Sequence, residues 1–203
     1  MSRFPRWLSA LVLALMPTLP LAAAPSAPAD GVAARLEQPA VLRGRFEQEK
    51  QLQGFRNPLR SRGQFLLVRG RGLAWDTREP FASSTVIGAR GIVASTPEGG
   101  ERVLARADDP AQDLLMALVG ADLEALARSF DSHETLLDDG RWRLRLLPRE
   151  PGLRSVFASV ELAGDRHVRE VRIEETGGDT TVLRFTAFET SPPPTDAELA
   201  RLD

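Results

Sequence analysis

The chain has 203 residues, 42% hydrophobic and 27% charged, with 15 Pro, 16 Gly, two His and no Cys. That length suits one domain, or at most two small ones. The lack of Cys excludes a disulfide framework, thiolate metal sites, thiol catalysis and a lipid-modified N-terminal cysteine, and a formal charge of −2 argues against general nucleic-acid binding.

Residues 1–24 read as a secretory signal peptide. Arg3 and Arg6 make a short positive start, an apolar stretch over 8–21 follows, and Ala22, Ala23 and Ala24 supply small residues for cleavage, expected between 22 and 29. The apolar run is broken by Pro17 and Pro20 and falls short of the roughly 20 apolar residues of a spanning helix. Without this segment 24 basic and 28 acidic residues remain, a balance of −4. The mature chain is therefore expected in an aqueous compartment outside the cytoplasm. Between positions 35 and 71 nine basic residues face three acidic ones, a pattern of solvated strand faces or of a basic rim toward an anionic partner.

Residues 25–30 form a Pro/Ala/Ser linker. A short helix is expected over 31–42, capped by Asp30, with Val32, Leu36 and Leu42 on its apolar side and Pro39 kinking or shortening it. From 43 to 106 the period changes. Short mixed runs at 44–52, 61–68, 72–77 and 83–87 are separated by Gly, Pro and Asn at near ten-residue spacing, a meander of antiparallel strands. Asp109 and Pro110 then open a helix whose apolar face is Leu114, Leu115, Leu118 and Val119. Gly120 ends it, and residues 122–130 begin another helical segment with Leu123, Leu126 and Phe130 in phase.

Strands return after Asp131. Trp142, Leu144 and Leu146 alternate with Arg141, Arg143 and Arg145; Val156, Ala158, Val160 and Leu162 alternate likewise, as do Leu183, Phe185 and Ala187. Asp139-Gly140, Gly164-Asp165 and Gly177-Gly178-Asp179 read as hairpin turns. The expected fold is α+β and mainly antiparallel β: a curved, incomplete β-barrel of about ten to eleven strands, with about three helices over a hydrophobic cavity. One domain is expected over 30–190, followed by a Pro-rich segment and short helix over 191–203.

The chain carries little that points to catalysis. Ser61 and Gly63 lack the first Gly of a nucleophile elbow, and Gly70-x-Gly72 lacks a third Gly and opens a strand. His133 and His167 sit in strand-edge contexts and read as surface or turn residues. Asp138-Asp139 and Glu174-Glu175 read as turn and strand-end acids. No enzyme activity, cofactor or metal is expected.

Three ordered motifs stand out. Gly44-Arg45-Phe46-Glu47-Gln48 follows the first helix. Ser61-Arg62-Gly63-Gln64-Phe65 leads to Val68-Arg69-Gly70-Arg71-Gly72-Leu73-Ala74-Trp75. Pro80 precedes Thr85-Val86-Ile87 and Gly91-Ile92-Val93. With a signal peptide before them, they resemble the LolA family of periplasmic outer-membrane lipoprotein carriers, in a divergent branch. The motifs cover about 50 residues, and the remaining elements agree in order from about residue 30 to 190.

The resemblance implies a periplasmic, monomeric carrier. It would accept lipoprotein acyl chains from an inner-membrane ABC transporter and pass them to an outer-membrane receptor. Burying such chains is worth about 0.8 kcal/mol per CH₂, so a carrier must offer a comparable apolar lining. The expected lining is Phe46, Phe65, Leu67, Leu73, Trp75, Leu114, Leu115, Leu118 and Trp142. Arg69 aligns with a family arginine that holds the helical lid closed on backbone carbonyls. Gly70 stands here where the family has Pro, and Arg71 or Arg62 could substitute for Arg69. Competing readings are a carrier of another amphiphile, such as a glycolipid or polyene lipid; a lipoprotein-binding sensor or interaction protein; and a hydrolase.

Overall fold

The period-2 stretches pair into a single antiparallel sheet of eleven strands in a computed structural model that describes residues 31–107 and 110–203. The signal segment 1–24, the linker 25–30 with its cap Asp30, and the helix cap Asp109 lie outside the described residues. The strands are β1 (Val41–Gln51), β2 (Leu59–Val68), β3 (Gly72–Glu79), β4 (Ser83–Gly88), β5 (Gly91–Thr96), β6 (Gly100–Ala105), β7 (Phe130–Leu136), β8 (Trp142–Pro148), β9 (Phe157–Gly164), β10 (Val168–Glu175) and β11 (Thr180–Glu189). Among the described residues five short helices accompany them: α1 (Val32–Arg35), α2 (Pro110–Gly120), α3 (Leu123–Ser129), α4 (Pro151–Arg154) and α5 (Asp196–Leu202).

The strand order is β6-β5-β4-β3-β2-β1-β11-β10-β9-β8-β7. Two meanders therefore join at a β1–β11 seam, and the two free edges, β6 and β7, are neighbours in sequence. The connection between them carries α2 and α3, so the topology lays these helices across the mouth of an open, curled sheet. Consecutive hairpins give strands with one apolar face, and that face is covered when the sheet curls and the helices close over it.

The main core lies on the concave side. It joins Phe46, Phe65, Leu67 and Leu73 of one meander to Trp142, Leu144, Leu146, Val160 and Leu162 of the other, under Leu118 and Leu126 of the helices. A smaller cluster of Val41, Leu66, Val68 and Ala74 lies on the convex side, where Leu202 of α5 seals it.

Several sequence expectations shift locally. The helix expected over 31–42 is only α1, four residues long. Leu36 is already extended at ψ 127°, and Pro39, which disfavours helical geometry at Gln38 and offers no N–H, keeps the helix from resuming. Val156 and Ala158 face solvent, with α4 leading into β9 at Phe157. At the seam, β11 bulges: Arg45 pairs with Thr186 but Arg43 pairs with Glu189. Ala187 adopts φ 53° there and points outward, and Phe188 takes the inward place that strict alternation assigned to Ala187.

Candidate functional site

Motif residues build the concave wall through two reciprocal approaches. Gly44 on β1 lies across from Phe65 on β2, and Gly63 on β2 lies across from Phe46 on β1. A Cβ at Gly44 would stand 2.6 Å from the Phe65 ring, and one at Gly63 would stand 2.8 Å from the Phe46 ring. Each glycine thus makes room for the opposing phenylalanine. The rings continue as a chain: Phe46 stacks on Trp75 with centroids 3.9 Å apart, Trp75 meets Phe185 edge-on at 6.0 Å, and Phe185 meets Phe65 at 5.4 Å. Phe65 meets Phe188 at 6.3 Å, and Phe188 meets the His167 ring at 5.0 Å. Such edge-to-face pairs add to the area they bury.

Of the expected lining, Phe46, Phe65, Leu67, Leu73, Leu118 and Trp142 are buried in the concave core, and Trp75 and Leu114 pack against it half-buried. Leu115 does not join them. It is 39% exposed, on the solvent side of α2, because Leu114, Ala117, Leu118 and Ala121 occupy the inward face. Trp142 donates its indole N–H to the Asp165 carbonyl at the β9–β10 turn, which fixes its ring at one end of the wall.

Among the described residues few polar contacts tie the helices down, and on α3 Arg149 donates through Nη1 to the Ala127 carbonyl at 2.7 Å. Arg69 donates through Nη2 to the Gly120 carbonyl at the end of α2, at 3.1 Å. Gln112, in the first half of α2, donates to the Gly88 carbonyl on β4 at 3.3 Å. Gln38 reaches the Ala121 carbonyl at 3.4 Å. The turn carrying Arg69 needs glycine at the next position. Gly70 has φ 75°, which proline, held near −65°, cannot adopt. The turn closes by the Arg71 N–H to Val68 carbonyl bond, at 3.0 Å. Arg71 and Arg62 do not share the Arg69 position: Arg71 pairs with Asp203 at 2.8 Å and Arg62 with Glu79 at 2.6 Å.

Beneath the end of α2 the wall leaves a cavity of about 20 Å³, bordered by Leu36, Leu42, Phe65, Arg69, Phe185 and His167. That is room for one water-sized group, against roughly 300–1,000 Å³ for pockets that hold drug-sized ligands. At this end the concavity is filled by its own side chains, whereas between the Arg69 turn and the two helices a wider pocket of about 340 Å³ is lined by Leu67, Arg69, Met116, Ala117, Ala125 and Arg128. A polar cleft of about 500 Å³ on the sheet is lined by Glu47, Arg60, Arg62, Glu79 and Arg184, among which Arg62 pairs with Glu79, Arg60 with Glu49 and Arg184 with Glu170.

His167 departs from the surface role read from its turn. Its side chain is only 10% exposed, and burial pushes the imidazole's pKa below its usual value while the Glu37 carboxylate, 3.9 Å away, opposes that shift. Arg69 Nε and His167 Nδ1 are buried without a partner among the described residues. His133 is exposed on β7. Asp139 binds Arg141 at the β7–β8 hairpin, and Glu175 pairs with Lys50. Among the described residues no three His, Asp or Glu side chains gather as a metal site, and no helix is long and apolar enough to cross a membrane.

Four further residues belong to this site: the sequence points to neither Gln112 nor Phe188, reads His167 as a surface or turn residue, and gives Phe185 only as an alternating strand residue. A lone amide or imidazole carries no pattern, and Phe188 is masked by the bulge at Ala187.

The chain is similar to a LolA superfamily protein from Nitrosomonas europaea, at 10% identity and TM-score 0.44 over 79% of this chain and 90% of the other. A putative outer membrane lipoprotein-sorting protein domain from Vibrio parahaemolyticus is 11% identical, with TM-score 0.42 over 83% and 93%. A chain from the complex structure of Pseudomonas aeruginosa MucA/MucB is 16% identical, with TM-score 0.43 over 78% of this chain and 54% of that one. No curated protein sequence matches. The sequence profile described as outer membrane lipoprotein carrier protein LolA matches residues 37–199, a stretch that takes in all eleven strands and both helices across the mouth of the sheet. By that match the chain belongs to the LolA family.

Proposed function

We propose that the protein is a periplasmic carrier that takes the acyl chains of lipoproteins into its concave face and ferries them from the inner to the outer membrane. The observation that carries this reading is an apolar, aromatic-rich wall covered by two helices that, among the described residues, few polar contacts hold in place. Transfer of acyl chains breaks no covalent bond and needs no cofactor. It needs an apolar surface comparable to the one the chains leave, at about 0.8 kcal/mol per CH₂, and a way to expose and re-cover that surface. The aromatic wall supplies the surface, and lifting α2 and α3 supplies the exposure. Phe46, Phe65, Leu67, Leu73, Trp75, Leu114, Leu118 and Trp142 are the residues we assign to the lining. Arg69 is the latch at the end of α2, and Gln112 acts with it. An inner-membrane ABC transporter is the donor and an outer-membrane receptor the acceptor. The signal peptide at 1–24 accounts for export.

The test is release from spheroplasts. Mature protein added to spheroplasts of its own host should bring newly made lipoproteins into the supernatant as soluble complexes. Mass spectrometry of the same preparation identifies co-purified lipid. A defined non-lipoprotein lipid without released lipoproteins would replace the cargo with another amphiphile. An empty protein in both assays would sink carriage altogether.

A further inference from the structure

We infer that the β1–β2 and β3–β4 turns dock the protein on an anionic lipid bilayer, with Phe55 and Phe81 entering its interface and Arg56 and Arg78 meeting lipid phosphates. The inference goes beyond carriage and stands whether or not the concave wall takes acyl chains.

Three large apolar side chains stand in water at one end of the sheet. Phe81 is 83% exposed, Phe55 65% and Leu59 59%. The register brings them together. Lys50 pairs with Leu59, so Phe55 lies in the connection that joins β1 to β2. Arg62 pairs with Glu79, and the chain past Glu79 turns through Phe81 into β4. Leu59 and Phe81 therefore stand three and two residues beyond one cross-strand pair, on chains about 5 Å apart at that pair. Arg60 and Pro80 border one cleft, so the two turns are neighbours. The Arg69 turn lies at the far end of β2, ten residues away, or about 33 Å at the usual rise of a strand. This patch is thus separate from the latch.

Single exposed apolar residues are ordinary, but a group of them on adjoining turns marks an interaction surface. Neither Phe55 nor Phe81 joins a core cluster or an aromatic pair among the described residues. The fold does not use these rings as packing. The Phe55 N–H donates to the Leu52 carbonyl at 3.1 Å, which braces the turn while its ring stays in water.

The charge around the rings is basic. From Lys50 to Arg62 the chain carries four basic residues and no acidic one. The acids beside them are engaged: Glu49 with Arg60 at 3.3 Å, Glu79 with Arg62 at 2.6 Å and Glu175 with Lys50 at 2.7 Å. Arg56, next to Phe55, and Arg78, three residues before Phe81, are exposed with no acidic partner within 4 Å among the described residues. Glu98 and Glu150, at the same end of the sheet, belong to turns that carry neither ring. Aromatic rings concentrate at the bilayer–water interface, and cations beside them are drawn to anionic lipid. Rings on turns suit a fluid surface that closes around them, whereas a protein partner must offer a pocket for each.

The experiment is flotation of the mature protein with vesicles of phosphatidylglycerol and phosphatidylcholine in equal parts, against vesicles of phosphatidylcholine alone. The protein should float with the anionic vesicles and stay behind with the neutral ones. Phe55→Ser and Phe81→Ser should each lower the partition coefficient about tenfold. Arg56→Gln and Arg78→Gln should each lower it about fivefold, and added salt should mimic their loss. Thermal unfolding should be unchanged in all four, since none of these side chains packs in the core. Leu104→Ser, which removes an apolar side chain 52% exposed on β6, should float as the parent does. No flotation with anionic vesicles overturns the proposal and leaves the patch to a protein partner. Equal flotation with neutral vesicles overturns the part given to the arginines. Flotation that survives loss of both rings, or falls as far in Leu104→Ser, puts the contact elsewhere and overturns the two turns. Phe81→Ser should load a lipid probe as the parent does, so failure here leaves carriage standing.

Discussion

Phe46 on β1 faces Gly63 on β2, and the backbone at Gly63 comes so close to β3 that a Cβ there would stand 1.9 Å from the Asp76 carbonyl and 2.8 Å from the Phe46 ring. The bare glycine thus sets both the path of β3 and the stacking of Phe46 on Trp75. Gly63→Ala must shift backbone rather than a flexible side chain, and should destabilise the protein by about 1–3 kcal/mol, the range for overpacked cores. Gly152→Ala in α4, where nothing lies within 4 Å of the added carbon, is the control. Thermal unfolding of the two variants should separate them clearly; equal midpoints would show that the close approach is not a constraint.

The latch contacts at the two ends of α2 predict how the lid loosens. Arg69→Leu removes the bond to Gly120, and Gln112→Leu removes the bond to Gly88. Each loss should cost about 1–2 kcal/mol of lid closure. The α2 amides should then exchange with solvent about tenfold faster, while those of β8 and β9 keep their rates. The double variant should load a lipid probe faster than either single one. Unchanged α2 exchange in Arg69→Leu would remove the latch role.

Much of this architecture was legible because strands with one apolar face announce themselves by period. Phe46, Phe65, Leu73, Trp75, Trp142 and Leu144 share the concave side because each strand alternates and each register aligns the inward sets. What escaped the sequence depends on departures from regular period or on contacts distant in the chain. Phe188 turns inward only because Ala187 takes a left-handed conformation. Leu114, Leu115, Leu118 and Val119 make one broad apolar stripe on paper, and only packing decides that Leu115 is left outside. The burial of His167 depends on Phe188, and the role of Gln112 on a carbonyl 24 residues away. Neither has a local signature.

The C-terminal helix should be sensitive to acid. Glu198 closes a capping box with Thr195 and accepts from Arg43 Nε and Nη2 at 3.0 and 2.9 Å. The Arg43 guanidinium, then the Thr195 N–H, hold the Glu198 carboxyl down at about 2, from an ordinary 4.5. A lowered pKa stabilises the docked helix fully above the unfolded value, and that contribution is lost as pH falls from 4.5 through about 2. The pair is partly exposed, so it is worth about 1 kcal/mol or less. Following the Leu202 methyl resonances between pH 7 and pH 2, a range of order set by carboxylate titration, should show α5 loosening in that window. Glu198→Gln should flatten the response; an identical titration in the variant would assign it to another group.

The two sides of α2 make opposite predictions for two leucines three positions apart. Leu118 is 5% exposed and packs in the concave cluster beside Ala117 and Ala121, whereas Leu115 is 39% exposed. Truncating Leu118 to Ala removes packing that exists only while the helix is closed, so it should destabilise the fold by about 2–5 kcal/mol, or less where the lid settles into the space. Part of that loss should appear as lid opening, read as faster α2 exchange and easier probe entry. Leu115→Ala touches no core contact and should change stability by no more than about 0.5 kcal/mol. A lipid bound beneath the helices would contact the Leu118 face, so Leu115→Asp should load lipid as the parent does, while Leu118→Asp should not. If Leu115→Asp abolishes loading in a folded protein, the cargo lies on the outer side of α2, and the concave wall is core alone.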